Sequence, residues 1–371
     1  MESITGLIDE LENLPAQGRN LFDSIFRIWR YTGHLKVPPS FRSKIREYYG
    51  ERGEDECRAI ERIKMQTIVN TFNIWTGEAA LFNQLRAGRP RQNREQSVGT
   101  RERLFSRIEQ AKRGCDFCDP VAHTPEDVFG RIKGKHCITA SNIAKYDAYN
   151  AVVIFNRHNP LEFDRKEFFD YVDVGLEWCR KVHEHDQDFK YPFFTWNCLE
   201  KAGASQIHGH AQVLVARKMP YAKVLALSEV SQRYKRETKM RYFDVLYKVH
   251  ESVGLAVMRK QIKVLMYLTP IKEKEMMIVS SSMSADLKST MFKVLRSYID
   301  ELGVMSFNLS IAIPPIGTED GELPIIARIV DRGDVFSLSS DFGGMELYGT
   351  SVLASDPCST FRVARRSIEM T

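Results

Sequence analysis

Apolar residues fall along the chain with two different periods, and the change from one to the other outlines its elements. Residues 1 to about 68 read as helical. Leu21, Phe22, Ile25, Phe26, Ile28 and Trp29 recur near helical spacing, and Pro38-Pro39 interrupts before a short helix between Phe41 and Tyr49. Further on, Ala148 to Phe155 is a β-branched run of the kind found in a buried strand. Asp164 followed by Glu167 has the spacing of a capping box with Asp in the cap position. The stripe Phe168, Val172, Leu176, Cys179 and Val182 then predicts a helix over Arg165–His185. Two short strands are expected around Phe193–Trp196 and from Ile207 to Ala216, followed by a long helical stretch from Tyr221 to about Ser252.

A second cycle repeats the first. Strands are expected near Val264–Leu268 and Met276–Val279. A helix from Ala285 to Leu302 carries Leu287, Met291, Leu295 and Tyr298 on one face and stops at Gly303. Strands at Ser306–Ile313 and Ile325–Val330 close the cycle. The repeat implies two copies of one α+β unit. The division expected is an N-terminal helical extension (1–68), a first half (69–218), a helical connection (219–254) and a second half (255–371).

Composition narrows the class. The chain has 371 residues, 43% hydrophobic and 27% charged, which at ~150 residues per domain is enough for two or three units with a sizeable core. Lys and Arg number 53 against 48 Asp and Glu, a net charge of +5. So mild an excess suits a phosphate-bearing small molecule better than a nucleic-acid duplex. No apolar run approaches the ~18 residues of a membrane span. The N-terminus, Met1-Glu2-Ser3-Ile4-Thr5, lacks a secretory pattern, so the seven cysteines read as reduced thiols and the expected location is cytoplasmic. Between Arg86 and Arg113 nine Lys/Arg face three Glu. Most such runs are solvated surface, but some of these arginines are candidates to meet a phosphate.

Chemistry concentrates between Asn197 and Gln212. On a strand, His208, His210 and Gln212 would project to one side, with same-face neighbours ~7 Å apart. One imidazole could then bind a metal while the next addresses a substrate. Upstream, Gly203-Ala204-Ser205 is small enough for backbone to approach a phosphate, with amides and the Ser205 hydroxyl as donors. Cys115-Asp-Phe-Cys118 is half of a zinc site, against the plainer readings of a redox pair or two buried thiols. Its completion needs two more ligands. His158 sits just past a strand end, and His123 and His136 compete with it.

These residues resemble the galactose-1-phosphate uridylyltransferase-like branch of the histidine triad superfamily, which includes nucleotide-sugar and diadenosine tetraphosphate phosphorylases. Four places carry the likeness. They are Thr76-Gly-Glu78 with Leu85-Arg86-Ala-Gly-Arg89-Pro90, Cys115-x-x-Cys118, Ser141-Asn142 leading through Lys145-Tyr146 to His158, and Gly203-Ala-Ser205-Gln-Ile-His208-Gly-His210-Ala-Gln212. A weaker match runs from Ser306 through Glu346 to Ser355.

The resemblance implies two histidine-triad-like halves, each an antiparallel sheet with a helix. It implies structural zinc held by Cys115, Cys118, His158 and His208, with His210 as nucleophile. Gln212 and Ser205 would hold the phosphoryl oxygens. Arg86 and Arg89 would neutralise the distal phosphate, and Asn142 and Asn197 would contact ribose or phosphate. The substrates implied are a nucleoside diphosphate sugar or dinucleoside polyphosphate and a phosphate-bearing acceptor. Neither membrane nor nucleic-acid partner is expected, and a homodimer is compatible with the reading. A hydrolase and a non-catalytic nucleotide-binding regulator are the alternatives. Where family members often carry a second histidine pair, this chain reads Leu323-Pro-Ile-Ile-Ala-Arg328, so a second metal site is not expected.

Overall fold

The computed structural model describes residues 3–50, 54–88, 99–318 and 323–369. The chain begins with α1 (Ile4–Glu12) and α2 (Ala16–Asp23), then β1 (Phe26–His34), α3 (Arg42–Tyr49), α4 (Glu56–Lys64), β2 (Met65–Asn73) and β3 (Ala79–Phe82). Phe26–His34, expected inside a helical run, is therefore a strand, and β2 starts within the same run. The short apolar cluster from Ile25 to Trp29 fits either period. Pairing decides it: β1 lies antiparallel to β2 over its whole length, from Phe26↔Asn73 to His34↔Met65. The remaining partner of this small sheet comes from the other end of the chain. β13 (Thr350–Leu353) runs parallel to β3, giving the order β1-β2-β3-β13.

After α5 (Thr100–Gln110) and the single turn α6 (Pro120–His123) come β4 (Cys137–Ser141), β5 (Tyr149–Phe155), α7 (Arg165–His185), β6 (Tyr191–Cys198) and β7 (His210–Ala216). The connection is made of two helices, α8 (Ala222–Thr238) and α9 (Tyr242–Ser252). The second half follows as β8 (Ala256–Arg259), β9 (Ile262–Met266), β10 (Met276–Ser280), α10 (Ala285–Arg296), β11 (Phe307–Ala312) and β12 (Ile325–Asp331). After β13 the chain closes with α11 (Pro357–Glu369).

The two halves share one nine-stranded sheet, ordered β4-β5-β7-β6-β11-β12-β10-β9-β8. Its centre is the antiparallel pair β6–β11, and outward from it each half repeats the same antiparallel order. Register puts Gln212, Thr195, Ser310 and Arg328 opposite one another in a single row across the middle strands, on one face. The opposite face is the core. There Phe155 stacks on Tyr171 at 3.7 Å, and Trp178, Trp196, Phe194 and Phe307 are fully buried. Gly175 of α7 is small because a Cβ would lie 2.9 Å from Val213 of β7.

The ends of the two long helices follow ordinary capping chemistry. Asp164 accepts from the Lys166 and Glu167 amides while Glu167 accepts from the Asp164 amide, so the capping box is formed. Ser284 caps α10, which continues as a π-turn over Ser297–Glu301 before Gly303 at φ 67°. Among the described residues, no helix is long and apolar enough to cross a membrane.

Candidate functional site

The free face of the first half is where the chemistry-bearing residues gather. Ile138 and Ala140 of β4, with Val152 and Ile154 of β5, form a small apolar patch completed by Phe117. β7 lies beside it, with Ile154 opposite His210 and Val152 opposite Gln212. Ala211, Val213 and Val215 alternate onto the core face.

The strand begins at His210 rather than at Ile207. His208 precedes it in a bend, so strand alternation does not set its direction. Tight packing is the reason for the glycine between them. A Cβ on Gly209 would stand 2.8 Å from the Phe155 ring and 3.0 Å from Arg157 O. With no side chain there, the backbone pairs closely with β5 and the following loop: Phe155 N donates to Gly209 O and Gly209 N to His158 O, both at 2.9 Å.

That close pairing brings His208 and His158 together with the Cys115–Cys118 turn. Their four ligand atoms all lie within 4.8 Å of one another. His158 Nδ1 is 3.1 Å from His208 Nδ1. Cys118 Sγ is 3.4 Å from the first and 3.6 Å from the second, and Cys115 Sγ is 3.5 Å from His208 Nδ1. Both imidazoles have their other nitrogen against a carbonyl, His158 Nε2 on Ile108 O at 2.9 Å and His208 Nε2 on Phe155 O at 2.7 Å. A carbonyl only accepts, so each Nε2 carries the proton and each Nδ1 presents a lone pair. Two lone pairs facing at 3.1 Å cannot hydrogen-bond to each other; a cation between them reconciles them. Burial pushes the His208 pKa down to about 4 and lowers that of His158, which keeps both rings neutral as ligands must be. The group could hold a metal ion. His123 and His136 stand outside it.

His210 is arranged differently. Its Nδ1 donates to His208 O at 2.7 Å, which fixes the tautomer with the lone pair on Nε2. Nε2 makes no hydrogen bond among the described residues. Burial lowers the pKa of this ring too, and Phe117 packs against it at 78°, with ring centroids 5.3 Å apart. Phe117, inside the Cys-x-x-Cys turn, also contacts His208 and so touches both imidazoles. Gln212 belongs to a loose polar group. Its Oε1 lies 3.5 Å from the side-chain nitrogens of Asn142 and of the buried Asn150, and its Nε2 is 3.4 Å from Tyr146 Oη. Sequence reading passed over Phe117 and Asn150. A buried Asn in an otherwise apolar strand was the available signal for the second.

The Gly203-Ala204-Ser205 loop departs from expectation in one respect. Gly203 N donates to Glu200 O at 2.9 Å and Ala204 N to Leu199 O at 3.2 Å, so these two amides close the turn and do not face an anion. Of the three residues, only Ser205 keeps both its amide and its hydroxyl without a protein partner among the described residues. Glycine is required at 203 by φ 97°, whereas Leu199 adopts φ 67°, ψ 172° despite its side chain. Such a conformation costs about 1–3 kcal/mol, and Leu199, fully buried in the core, is held there by packing.

Other expected residues divide. Asn197 lies on β6 on the face of Thr195 and Gln212, its Oδ1 accepting from Asn308 at 2.7 Å. Arg86 instead lines a cavity of ≈ 620 Å³ with Lys201, Lys272 and Arg332, beside the loop that follows β12. Arg89 lies outside the described residues. Glu78 is turned toward the second half and α8, meeting Arg328 at 3.2 Å and Lys223 of α8 at 3.0 Å and accepting from Tyr267 Oη.

No family model matches the chain, and no curated protein sequence matches it. Solved structures do share its fold. An ADP-glucose phosphorylase from Arabidopsis thaliana with bound ADP-glucose aligns at TM-score 0.58 and 16% identity, over 80% of this chain and 96% of that one. A GalT-like protein from the same plant gives TM-score 0.54 and 18% identity, covering 69% and 92%. A uridylyltransferase gives TM-score 0.54 and 14% identity, covering 64% and 86%. The chain therefore shares its fold with these three solved structures.

Proposed function

We propose that the protein is a nucleotidyltransferase or phosphorylase. It would take a nucleoside diphosphate sugar or a dinucleoside polyphosphate and pass the nucleoside monophosphate to phosphate or a sugar 1-phosphate through a covalent intermediate on His210. The observation that carries this reading is the tautomer of His210, locked by the backbone carbonyl of His208 so that Nε2 is a neutral nucleophile. Nε2 attacks the α-phosphorus. A P–N bond forms, and the bond from phosphorus to the bridging oxygen breaks with its electron pair leaving on the departing phosphate. The hydrogen bond from Nδ1 to His208 O stabilises the positive charge that then develops on the ring. An oxygen of the acceptor attacks the same phosphorus, and the P–N bond breaks to restore neutral His210.

Around that phosphorus, Ser205, Gln212 and Asn197 supply donors for the non-bridging oxygens, where preorganised charge stabilisation does most of the work in phosphoryl-type transfer. Asn142 supports Gln212. The apolar patch of Ile138, Ala140, Val152, Ile154 and Phe117 suits the base or ribose of the nucleotide.

Zinc fits the four-residue cluster. Tetrahedral coordination at bond lengths of about 2.0–2.3 Å sets ligand atoms roughly 3.3–3.8 Å apart; four of the six pairs here lie at 3.1–3.6 Å and all six within 4.8 Å. Cys115, Cys118, His158 and His208 would hold the ion, which would supply structural tethering of the Cys turn to the start of β7. A cytoplasmic location agrees with reduced cysteines in such a site.

The test is a label at the α-phosphorus of UDP-glucose or ADP-glucose, followed on the protein with and without inorganic phosphate or a sugar 1-phosphate. Label should accumulate on the unsubstituted chain, discharge when acceptor is added, and be absent from His210→Ala. Discharge in water alone at the same rate would make the protein a hydrolase. Undiminished labelling of His210→Ala would remove His210 from the role.

A further inference from the structure

The Gly203–Ser205 loop belongs to the first half by sequence, but several of its fastenings come from the second. Ser306 Oγ donates to Cys198 O at 2.8 Å, just before the loop. Lys201 Nζ reaches back to the carbonyls of Ser337, at 3.2 Å, and Ser339. The most informative contact is Asn308 of β11. Its Nδ2 donates to Asn197 Oδ1 at 2.7 Å and to Ala202 O at 2.9 Å, while its Oδ1 accepts from Arg332 Nη1 at 2.6 Å. Both amide hydrogens and the amide oxygen are therefore engaged.

The orientation of this amide is not arbitrary. Turning it over would set its NH2 against a guanidinium that only donates, so Arg332 dictates which end faces the loop. Arg332 is itself held in a two-pronged pair with Asp341, Nε to Oδ2 at 2.6 Å and Nη2 to Oδ1 at 2.9 Å. The consequence passes on to Asn197. With its Oδ1 occupied by Asn308, the Asn197 amide must present Nδ2 elsewhere, and that nitrogen has no partner among the described residues. A donor is thereby left without a partner among the described residues on the face that carries Thr195 and Gln212, and Ala202 is tied down one residue before Gly203.

We propose that Asn308 is a positioning residue for nucleotidyl transfer, contributed by the second half. It fixes the flip of Asn197 and the seat of the Gly203–Ser205 loop, and the Arg332–Asp341 pair fixes Asn308 in turn. This rests on the proposed function, and it gives the second half a part in the chemistry of the first although β12 carries no histidine. Arg332 and Asp341 also line the ≈ 620 Å³ cavity, so the relay runs from that cavity to the loop.

Asn308→Asp tests it with little change in volume. The carboxylate can still pair with Arg332, but its other oxygen meets Ala202 O, and Asn197 must flip to satisfy it. Two measurements are made on the full chain. In hydrogen exchange, amides of residues 199–205 should exchange at least about tenfold faster than in the unsubstituted protein, while residues 211–215 of β7 are unchanged. With UDP-glucose or ADP-glucose labelled at the α-phosphorus, the saturating rate of protein labelling should fall roughly 10- to 100-fold, and the half-saturating concentration should move less than about threefold. Arg332→Gln should produce the same pattern with smaller amplitude, and it serves if the first variant fails to fold.

Unchanged exchange at 199–205 overturns the proposal, as does faster exchange with an unchanged labelling rate. A half-saturation shift with an unaltered saturating rate also overturns it, because that marks a binding contact and not a positioning one. If the unsubstituted chain takes no label, the proposed function fails, and the exchange comparison still decides whether Asn308 holds the loop.

Discussion

The two halves meet at β6 and β11 and repeat one strand order outward from that seam, yet their second strands do opposite things with the same face. β7 presents His210, whose Nε2 has no hydrogen-bond partner among the described residues, and Gln212, whose contacts with Asn142, Asn150 and Tyr146 are long, at 3.4–3.5 Å. At the matching place in the row, β12 presents Ile326 and Arg328. The arginine is closed in by Glu275, by Glu78 at 3.2 Å and by the ring of Tyr267, 5.6 Å from its centroid. Burial pushes the Glu275 carboxyl up even though Arg328 opposes it, while Arg328 and Lys223 outweigh burial at Glu78 and bring that carboxyl down. One half thus leaves polar groups available to a ligand, and the other satisfies them from within the chain. In the second half the protein's own carboxylates take up the group that stands where Gln212 stands in the first, while the strand order of the sheet is kept.

The sharpest way to break this comparison is to disrupt the Cys115, Cys118, His158 and His208 cluster proposed to hold zinc beside His210. Structural zinc sites carry roughly 10 kcal/mol or more of binding free energy, much of which appears as folding stability. Cys118→Ser, or exhaustive chelation, should therefore cost most of the bound zinc and lower labelling of His210 by about 10- to 100-fold or more. The loss should be local. Hydrogen exchange should rise in 115–118, 155–158 and 206–212 while β9, β10 and β12 stay protected. Equal loosening of both halves would show that the cluster is not what separates them. A protein that purifies with no metal and is indifferent to chelator would remove the site.

Next in size is the buried ion group of the second half. Arg328→Met leaves Glu275 and Glu78 without their shared cation. Breaking a buried pair in this way costs about 3–5 kcal/mol, because the remaining charges stay desolvated. Denaturant unfolding should show that loss. Below the transition, the folded variant should label at a rate close to the unsubstituted chain. A large fall in labelling with stability intact would mean that Arg328 belongs to the chemistry after all. Glu275→Gln neutralises the buried carboxylate that Arg328→Met strands, so the double substitution should recover part of the stability. Arg328 Nη2 is itself buried with no partner among the described residues, so removing that nitrogen costs no hydrogen bond.

What could be read in advance follows the same division. The capping box of α7, the repeated α+β order and the His-Gly-His string depend on neighbours a few residues apart, and local periodicity reports them. The four candidate metal ligands come from three separate segments. Spacing alone left His158 competing with His123 and His136, and the resemblance selected among them. Long-range pairing was invisible. β3 and β13 join residues about 270 apart, and β1 became a strand because β2 lies beside it, not because Ile25–Trp29 demanded one. Nor could composition show that Gly203 and Ala204 close their own turn, that Arg86 faces the cavity near Arg332, or that Asn308 orients Asn197. Each of these is settled by a hydrogen bond or a neighbour that only the folded chain brings within reach.

The smallest expected effect concerns the seam between the second half and the small sheet. His250 of α9 is fully buried, edge-on to Phe26 of β1 and stacked 5.9 Å from Tyr267. Its Nδ1 donates to Leu246 O at 2.8 Å and its Nε2 accepts from Leu268 N at 3.2 Å, an arrangement open only to the neutral ring. Burial holds its pKa down at about 4, against an ordinary value near 6.5. The unfolded chain therefore binds the proton more readily than the folded one between those values. The stability tied to this ring is fully present above pH 6.5 and is lost as pH falls toward 4, by at most about 3 kcal/mol. His250→Gln keeps one donor and one acceptor but cannot titrate. Its stability relative to the unsubstituted chain should rise as pH is lowered from 7 to 4, while labelling at neutral pH is unaltered. A constant difference across that range would mean that the ring takes up its proton in the fold as readily as in the unfolded chain, and Leu268 N would then need another acceptor at low pH.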